Sequence, residues 1–150
     1  MNQARTFFIT TIAHDRRPIF KSEVLAELFL KVLFSYRDAD KFQVHEFVLM
    51  PDHFHAILTP NALISLEKSV QFIKGGYSYR AKKEANCSLE IWQRSFTEHC
   101  IHDSKDYAHH VQYIHGNPMR RHLCTNAEEF PYSSANPRFV LDPPPEYLRG

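Results

Sequence analysis

Two histidines separated by a single residue stand in "MPDHFHAILTP", residues 50–60. Side chains alternate along a strand, so His53 and His55 would point to one face and Phe54 to the other. Neutral imidazoles are good ligands for divalent metal ions, and two on one face can converge on one ion. The apolar residues on either side indicate a central, buried strand, where unpaired imidazoles would be costly. The pair therefore predicts a metal site that needs a further ligand from elsewhere; the alternative is two polar side chains on a solvated strand face.

A second set of polar side chains lies in "DYAHHVQYIHGNPMR", residues 106–120. The set comprises Asp106, His110, Tyr113 and Asn117, whose spacings of four, three and four place them on one stripe of a helix. Tyr107 falls on the apolar side of that helix and is expected to pack in the core. A side-chain amide oxygen at Asn117 could be the third metal ligand. The alternative is an amphipathic helix with an exposed tyrosine and an asparagine near its end.

The elements that must position these residues follow from hydrophobic periodicity. Strands are predicted over 7–14, 42–49, 53–59 and 94–101, and helices over 21–36, 65–86 and 104–115. The turn residues "MPD" predict an antiparallel hairpin between the second and third strands. This order predicts an α+β fold: a ferredoxin-like antiparallel sheet with an added C-terminal helix that bears Tyr113.

The ends of that last helix can also be predicted. Asp103 is a candidate N-cap, because a carboxylate can accept from the first free backbone N–H groups. Pro118 is expected to end or kink the helix and to push Asn117 out of helical conformation. The tail "LDPPPEYL", residues 141–148, is expected to be extended and on the surface.

Composition narrows the class of protein. The 150 residues, 43% of them hydrophobic, predict a single globular domain over 1–150. The net charge of +1 means that any nucleic-acid site must come from local clusters of basic residues. Three scattered cysteines without a CxxC pair indicate neither a disulfide framework nor a cysteine-rich zinc site. No apolar run approaches the roughly 20 residues that span a bilayer. We expect a cytoplasmic protein without a membrane segment.

Basic residues cluster in three places. The predicted helix 65–86 carries Lys68, Lys74, Arg80, Lys82 and Lys83, with Tyr77 and Tyr79 interleaved. Basic groups can neutralise phosphates and aromatic faces can stack on unpaired bases, so these residues are candidates for DNA binding. Arg120 and Arg121 are further candidates, and Arg16, Arg17 and Lys21 form a third cluster. The alternative for the helix is an ordinary solvated face.

Four segments together resemble one known family. They are "LMPDHFHAIL", "WQRSFTEHCIHD", "DYAHHVQYIHGNPMR" and "FPYSS", in that order. The match covers nearly the whole chain and resembles the single-tyrosine HUH transposases of bacteria, in particular the REP-associated tyrosine transposases. The resemblance implies the HUH endonuclease fold, a divalent metal cofactor (Mg²⁺ or Mn²⁺), and single-stranded DNA with hairpin structure as the partner.

The resemblance also implies roles for individual residues. His53 and His55 match the metal-binding histidines, Tyr113 the nucleophile, and Asn117 a further metal ligand. Such an enzyme cuts DNA through a 5′-phosphotyrosine while the metal binds the scissile phosphate. His110 and His115 are candidate proton acceptors for the phenol. Arg121 and His122 depart from the family, which commonly has a small pair, often alanine and glycine, at these positions.

The sequence alone leaves three other functions open. One is a catalytically silent module of the same fold that only binds single-stranded nucleic acid. A second is a metal-dependent hydrolase that uses water, and a third is a replication-initiator nuclease. The sequence leaves open the DNA target and the choice between a monomer and a homodimer.

Overall fold

The computed structural model describes residues 4–150 and contains four strands and three α-helices. They are β1 Thr6–Ile12, α1 Glu23–Asp38, β2 Phe42–Met50, β3 His53–Pro60, α2 Leu66–Ala85, β4 Thr97–Ile101 and α3 Ser104–Arg120. The strands form one antiparallel sheet in the order β2-β3-β1-β4. This is the predicted ferredoxin-like arrangement with its added C-terminal helix.

The two faces of the sheet carry different layers. Helices α1 and α2 cover one face, where the Phe54 ring packs against Phe29 with centroids 4.7 Å apart. Helix α3 packs on the other face, where Tyr107 and Ile114 share a core cluster with Ile57. Because side chains alternate along β3, Phe54 faces α1 while His53 and His55 face the side of α3.

Side-chain caps begin all three helices. Ser22 accepts from the Leu25 N–H at 3.2 Å to start α1, and Ser65 accepts from Lys68 N–H at 3.0 Å to start α2. Asp103 accepts from the Asp106 N–H at 2.8 Å and begins α3, as predicted.

The expected effect of Pro118 on α3 is wrong. The helix continues to Arg120, and Asn117 is helical. Proline lacks the N–H that would bond to the carbonyl four residues back, but in the final turn this removes a single bond. The Arg121 N–H still closes that turn on the Asn117 carbonyl at 3.2 Å. Asn117 therefore stays one turn beyond Tyr113 on the same helix.

The tail 141–148 departs from its prediction in part: residues 141–145 lie outside helices and strands, but Asp142 and Leu148 pack against the rest of the domain. Strand β2 is at the edge of the sheet, and its unpaired backbone groups need partners. The Val44 N–H donates to the Asp142 carboxylate at 2.8 Å, and the Leu49 N–H donates to the Tyr132 carbonyl at 2.8 Å. Leu148 is buried in the core beneath α3.

Strand β4 begins at Thr97 and not at 94, because Ser95 has a φ of 67° that interrupts an extended chain. None of the helices within residues 4–150 has the length and hydrophobicity needed to cross a membrane.

Candidate active site

His53 and His55 lie side by side on the sheet face that α3 covers. Both are buried, with exposed fractions of 5% and 6%, and their ring centroids are 4.7 Å apart. They belong to β3, which lies between β2 and β1 in the sheet. The predicted common face is confirmed, and the alternative of a solvated strand face is wrong.

Each of these histidines has a hydrogen-bond partner at Nδ1. The His53 Nδ1–H donates to Asp52 Oδ1 at 2.6 Å, and His55 Nδ1 lies 2.7 Å from the Thr10 hydroxyl, which can accept from it. With the ring protons on Nδ1, both Nε2 atoms carry lone pairs. Histidines that ligate metals are usually oriented by such a partner on the other ring nitrogen.

Burial keeps both rings neutral. It lowers the pKa of His55 to about 3 and lowers the pKa of His53 below its usual value, although Asp52 partly opposes the shift at His53. Burial is the largest influence on the pKa of Asp52 and would raise it, but the hydrogen bond and charge of His53, together with the charges of Arg121 and Arg16, lower the pKa overall. At neutral pH the site thus holds two neutral imidazoles and one carboxylate, which suits metal binding.

Tyr113 of α3 stands beside this pair. Its ring centroid is 5.4 Å from that of His55, and the residue is 43% exposed. The Arg120 guanidinium lies 4.7 Å from the Tyr113 ring centre, and its Nη2 donates to the Tyr113 carbonyl at 2.7 Å. The helix has a glycine, Gly116, beneath the guanidinium.

Two other tyrosines are unsuited to the same role. Tyr107 is buried in the core as predicted, and burial raises its pKa well above the usual value of a phenol. Tyr77 is fully buried and donates to the Leu25 carbonyl at 2.9 Å. Tyr77 lies on the apolar side of its helix, as its helical spacing predicts. The suggestion that it could stack on DNA bases is therefore wrong, because its ring is in the core.

Asn117, the predicted further metal ligand, is buried on the helix that carries Tyr113. It is 5% exposed, and among residues 4–150 its Nδ2 has no hydrogen-bond partner. That NH2 group is a donor, so it calls for an oxygen acceptor and not for a metal ion. The two Nε2 atoms of His53 and His55 offer lone pairs to a divalent ion, and the amide oxygen of Asn117 has the chemistry of a third ligand.

The two candidate proton acceptors are engaged elsewhere. His110 Nδ1 lies 2.9 Å from the Asp106 carbonyl, and its ring packs on Phe8 at 4.6 Å. His115 Nε2 donates to Glu46 Oε1 at 2.7 Å, and the same carboxylate accepts from Ser134. No hydrogen bond within residues 4–150 joins either histidine to the Tyr113 hydroxyl.

Sequence reasoning missed the residues that orient the site. Asp52 was interpreted only as part of the "MPD" turn, although it directly precedes His53. Thr10 had no signal of its own, because its partner lies 45 residues away. Glu46 accepts hydrogen bonds from His115 of α3 and from Ser134 of the "FPYSS" segment, so it joins the two. The presence of both segments among the four family motifs was the one sequence signal related to this contact.

The DNA-binding candidates divide between two sides of the sheet. Arg120 and Arg121 lie at the end of α3, next to the site. The second group lies on α2, across the sheet: Lys74, Tyr79, Arg80, Lys82 and Lys83. Within that group, Lys74 donates to the Gln93 and Ser95 carbonyls at 2.8 Å each, and Arg80 pairs with Glu84 at 2.5 Å. Tyr79, Lys82 and Lys83 remain exposed.

Part of the third basic cluster lies beside the histidines. Arg16, Lys21 and Arg121 line a cavity of about 280 Å³ together with Asp52. Arg16 approaches the Asp52 carboxylate at 3.4 Å, whereas Arg17 turns to the Glu90 carbonyl. The cavity therefore has a positively charged rim next to the buried histidine pair.

Known proteins share this sequence pattern and fold. Residues 5–117 match the family described as "Transposase IS200 like". The "REP-associated tyrosine transposase" of Escherichia coli (strain K12) is 30% identical over 131 residues, which cover 86% of this chain and 75% of the relative. A relative from Haemophilus influenzae is 27% identical over 138 residues, which cover 85% of this chain and 78% of the relative.

One solved structure superposes over almost the full length of the chain. It is a REP-associated tyrosine transposase bound to a REP hairpin, with a TM-score of 0.75 and 23% identity. The superposition covers 99% of this chain and 90% of that chain. At this identity the likeness establishes the shared fold.

Proposed function

Because this chain belongs to the IS200-like transposase family and is of the REP-associated tyrosine type, we propose that it cuts and rejoins single-stranded DNA through a covalent bond to Tyr113. The observation that carries the proposal is the position of this side chain. Tyr113 is exposed and its ring centroid lies 5.4 Å from that of His55, whereas Tyr107 on the same helix is buried. A nucleophile must be both accessible and close to the groups that stabilise the reacting phosphate.

The chemistry balances as an exchange of one ester for another. The Tyr113 hydroxyl loses its proton to solvent, and its oxygen forms a bond to the phosphorus. The bond from phosphorus to the 3′-oxygen breaks, and that oxygen takes up a proton as a free 3′-hydroxyl. The 5′-phosphotyrosine that results keeps the ester bond energy, so another 3′-hydroxyl can attack it and restore a DNA strand.

A divalent metal fits the residues beside Tyr113. His53 and His55 would hold it through Nε2, and Asn117 would hold it through its amide oxygen. When bound, the metal would supply Lewis-acid stabilisation of the scissile phosphate. Two imidazole ligands favour Mn²⁺ over Mg²⁺, because Mg²⁺ prefers an all-oxygen shell.

Arg120 is proposed to position the nucleophile. It bonds to the Tyr113 carbonyl and lies over the ring, so the ring is held between a fixed cation and the histidine pair. A cation over the ring face also restricts the orientations that the ring can take.

The proposed substrate is a single strand that carries a hairpin. Support comes from the related protein whose solved structure holds a REP hairpin. It also comes from the positive rim of Arg16, Lys21 and Arg121 beside the site, which can neutralise DNA phosphates. Lys82 and Lys83 on the other layer offer a second contact for a longer substrate.

The decisive experiment is incubation of the protein and Mn²⁺ with a hairpin-bearing single strand, followed by a denaturing gel. We expect a covalent protein–DNA species and a shortened strand. Tyr113→Phe should abolish both, while Tyr107→Phe should keep both, because each change removes one oxygen and little volume. An adduct that mass spectrometry maps to Tyr79 or Tyr107, or cleavage that survives Tyr113→Phe, would overturn the proposal.

The metal site has its own test in the same assay. His53→Ala with His55→Ala should abolish cleavage and leave weak DNA binding, because mainly metal contacts are lost. Circular dichroism would check that the variant is folded. Cleavage at the wild-type rate by the folded double variant would show that these histidines have no part in the reaction.

A further inference from the structure

A second cluster of metal-ligating side chains lies outside the His53–His55 pair. It joins His99 of β4 to Asp106 and His110 of α3. His99 Nε2 is 2.6 Å from Asp106 Oδ2, and His110 Nδ1 is 3.1 Å from Asp106 Oδ1. One ligand atom from each residue lies within 4.8 Å of the other two, and within residues 4–150 no other group of three His, Cys, Asp or Glu side chains meets that limit.

The arrangement matches a metal site in several respects. Asp106 and His110 are four residues apart on one helix, which puts both side chains on the same face. His99 reaches them from the neighbouring strand, and its ring is nearly parallel to that of His110, with centroids 4.8 Å apart and an angle of 22°. Ligand atoms around tetrahedral zinc lie roughly 3.3 Å apart, so small side-chain movements would close the site.

Phe8 separates this cluster from the histidine pair on β3. Its ring centroid is 4.6 Å from that of His110 on one side and 5.3 Å from that of His55 on the other. The two groups of histidines therefore cannot share one ion. The cluster is also more open, since the side chain of His99 is 50% exposed and that of Asp106 is 26% exposed.

We propose that His99, Asp106 and His110 form a second metal site, which binds a transition-metal ion such as Zn²⁺ and leaves a fourth position for water. Two imidazoles and one carboxylate suit zinc, whereas Mg²⁺ would prefer oxygen ligands alone. Binding requires the histidine nitrogens that face Asp106 to carry lone pairs, so the protons there move to the other nitrogen of each ring. His110 Nδ1 also gives up its hydrogen bond to the Asp106 backbone carbonyl, which is 2.9 Å away without the ion.

An ion in this second site would restrict the movement of α3. An ion bound there ties the edge strand β4 to the first half of α3. Tyr113 follows His110 by three residues on that helix, so the bound ion would hold the helix that carries the nucleophile. The inference does not depend on the DNA chemistry proposed above, because it concerns metal binding and helix stability alone.

The test uses a variant in which the first site is disabled. Protein with His53→Ala and His55→Ala would be titrated with Zn²⁺ in a calorimeter, and with Co²⁺ while the visible spectrum is recorded. We expect about one equivalent of ion to bind, with the absorption bands of a four-coordinate site for Co²⁺. Zn²⁺ should also raise the midpoint of thermal unfolding.

Further substitutions in that background identify the ligands. His110→Gln or Asp106→Asn should weaken Zn²⁺ binding by about tenfold or more and remove the rise in the unfolding midpoint. His102→Gln and His109→Gln are matched controls, since both histidines are exposed neighbours outside the cluster, and neither change should alter the affinity. Absence of Zn²⁺ binding in the background variant, or an affinity that is unchanged by His110→Gln, would overturn the proposal.

Discussion

The Arg120 guanidinium lies 4.7 Å from the centre of the Tyr113 ring and donates a hydrogen bond to the carbonyl oxygen of the same residue at 2.7 Å. The Arg120 side chain thus extends back along α3 to a residue seven positions earlier in the sequence. It can do so because Gly116 has no side chain: a Cβ there would lie 2.5 Å from Arg120 Nη1. One glycine therefore makes room for the cation that covers the proposed nucleophile.

Gly116→Ala should slow adduct formation by roughly threefold to tenfold while leaving the fold intact. The new methyl group pushes the guanidinium off the Tyr113 ring, but alanine is a better helix former than glycine by up to about 1 kcal/mol. Single-turnover adduct formation and thermal unfolding would be measured together. Gly75→Ala is the control, because a Cβ at Gly75 meets nothing within 4 Å. Equal rates for the two variants would mean that the position of Arg120 is unimportant.

Asp52→Asn should weaken Mn²⁺ binding by about 10- to 100-fold. The carboxylate accepts from His53 Nδ1, and an amide can donate to that nitrogen instead and move the ring proton to Nε2. Binding would be followed by electron paramagnetic resonance of free Mn²⁺. Asp38→Asn removes an exposed carboxylate from α1, on the opposite face of the sheet, and should leave the affinity for Mn²⁺ unchanged. The orienting role of Asp52 would be refuted by equal affinities for wild type and Asp52→Asn.

Lys82→Ala with Lys83→Ala should weaken DNA binding and flatten its salt dependence. The slope of the logarithm of the binding constant against that of salt should fall by about 0.7 per lost phosphate contact on a single strand. The rate of adduct formation at saturating DNA should not change, because α2 lies across the sheet from Tyr113. Fluorescence anisotropy at several salt concentrations gives the slope. An unchanged slope would mean that the DNA does not contact this helix.

The free energy of unfolding, measured in EDTA, should fall as the pH drops below about 6.5. Burial lowers the pKa of His45, and it lowers the pKa of His55 to about 3, so the native state keeps these rings neutral while the unfolded chain takes up protons. Each such histidine lowers the free energy of unfolding by up to about 1.4 kcal/mol for every pH unit between its pKa in the unfolded chain and its pKa in the folded protein. Urea unfolding at pH 7 and pH 5 measures the difference.

A matched pair of variants tests that pH dependence. His55→Asn should reduce it, and His102→Asn should not, because His102 is exposed. A free energy of unfolding that is the same at pH 7 and pH 5 for the wild type would contradict the neutral, buried state of these rings.

His122→Gly should raise the free energy of unfolding by less than about 1 kcal/mol. His122 follows α3 with a φ of 59°, in the left-handed region that favours glycine. This accounts for the glycine that the family commonly has at this position. Arg121 has an ordinary φ of −92°, so Arg121→Gly should lower stability and serves as the control. Urea unfolding of both variants measures these changes, and a lower free energy of unfolding for His122→Gly would contradict the prediction.

Most of the fold could be predicted because its signals are local. The alternation in β3 placed His53 and His55 on one face, and the helical period separated buried Tyr107 from exposed Tyr113. The same period identified Tyr77 as a core residue, and the structure agrees with that pattern and not with its suggested role in DNA stacking. Pro118 shows the limit of a local rule, since one missing hydrogen bond matters little in the last turn of a packed helix.

The sequence by itself determined the element order, the shared face of His53 and His55, and the position of Tyr113 on the polar stripe, because these depend on periods within a single segment. Only the tertiary structure decided that Thr10 orients the imidazole of His55 and that His99 meets α3. Thr10 and His55 are 45 residues apart and meet only because β1 pairs with β3. Contacts of this kind arise from strand register and from the packing of a helix on a sheet, and no periodic pattern within one segment encodes either.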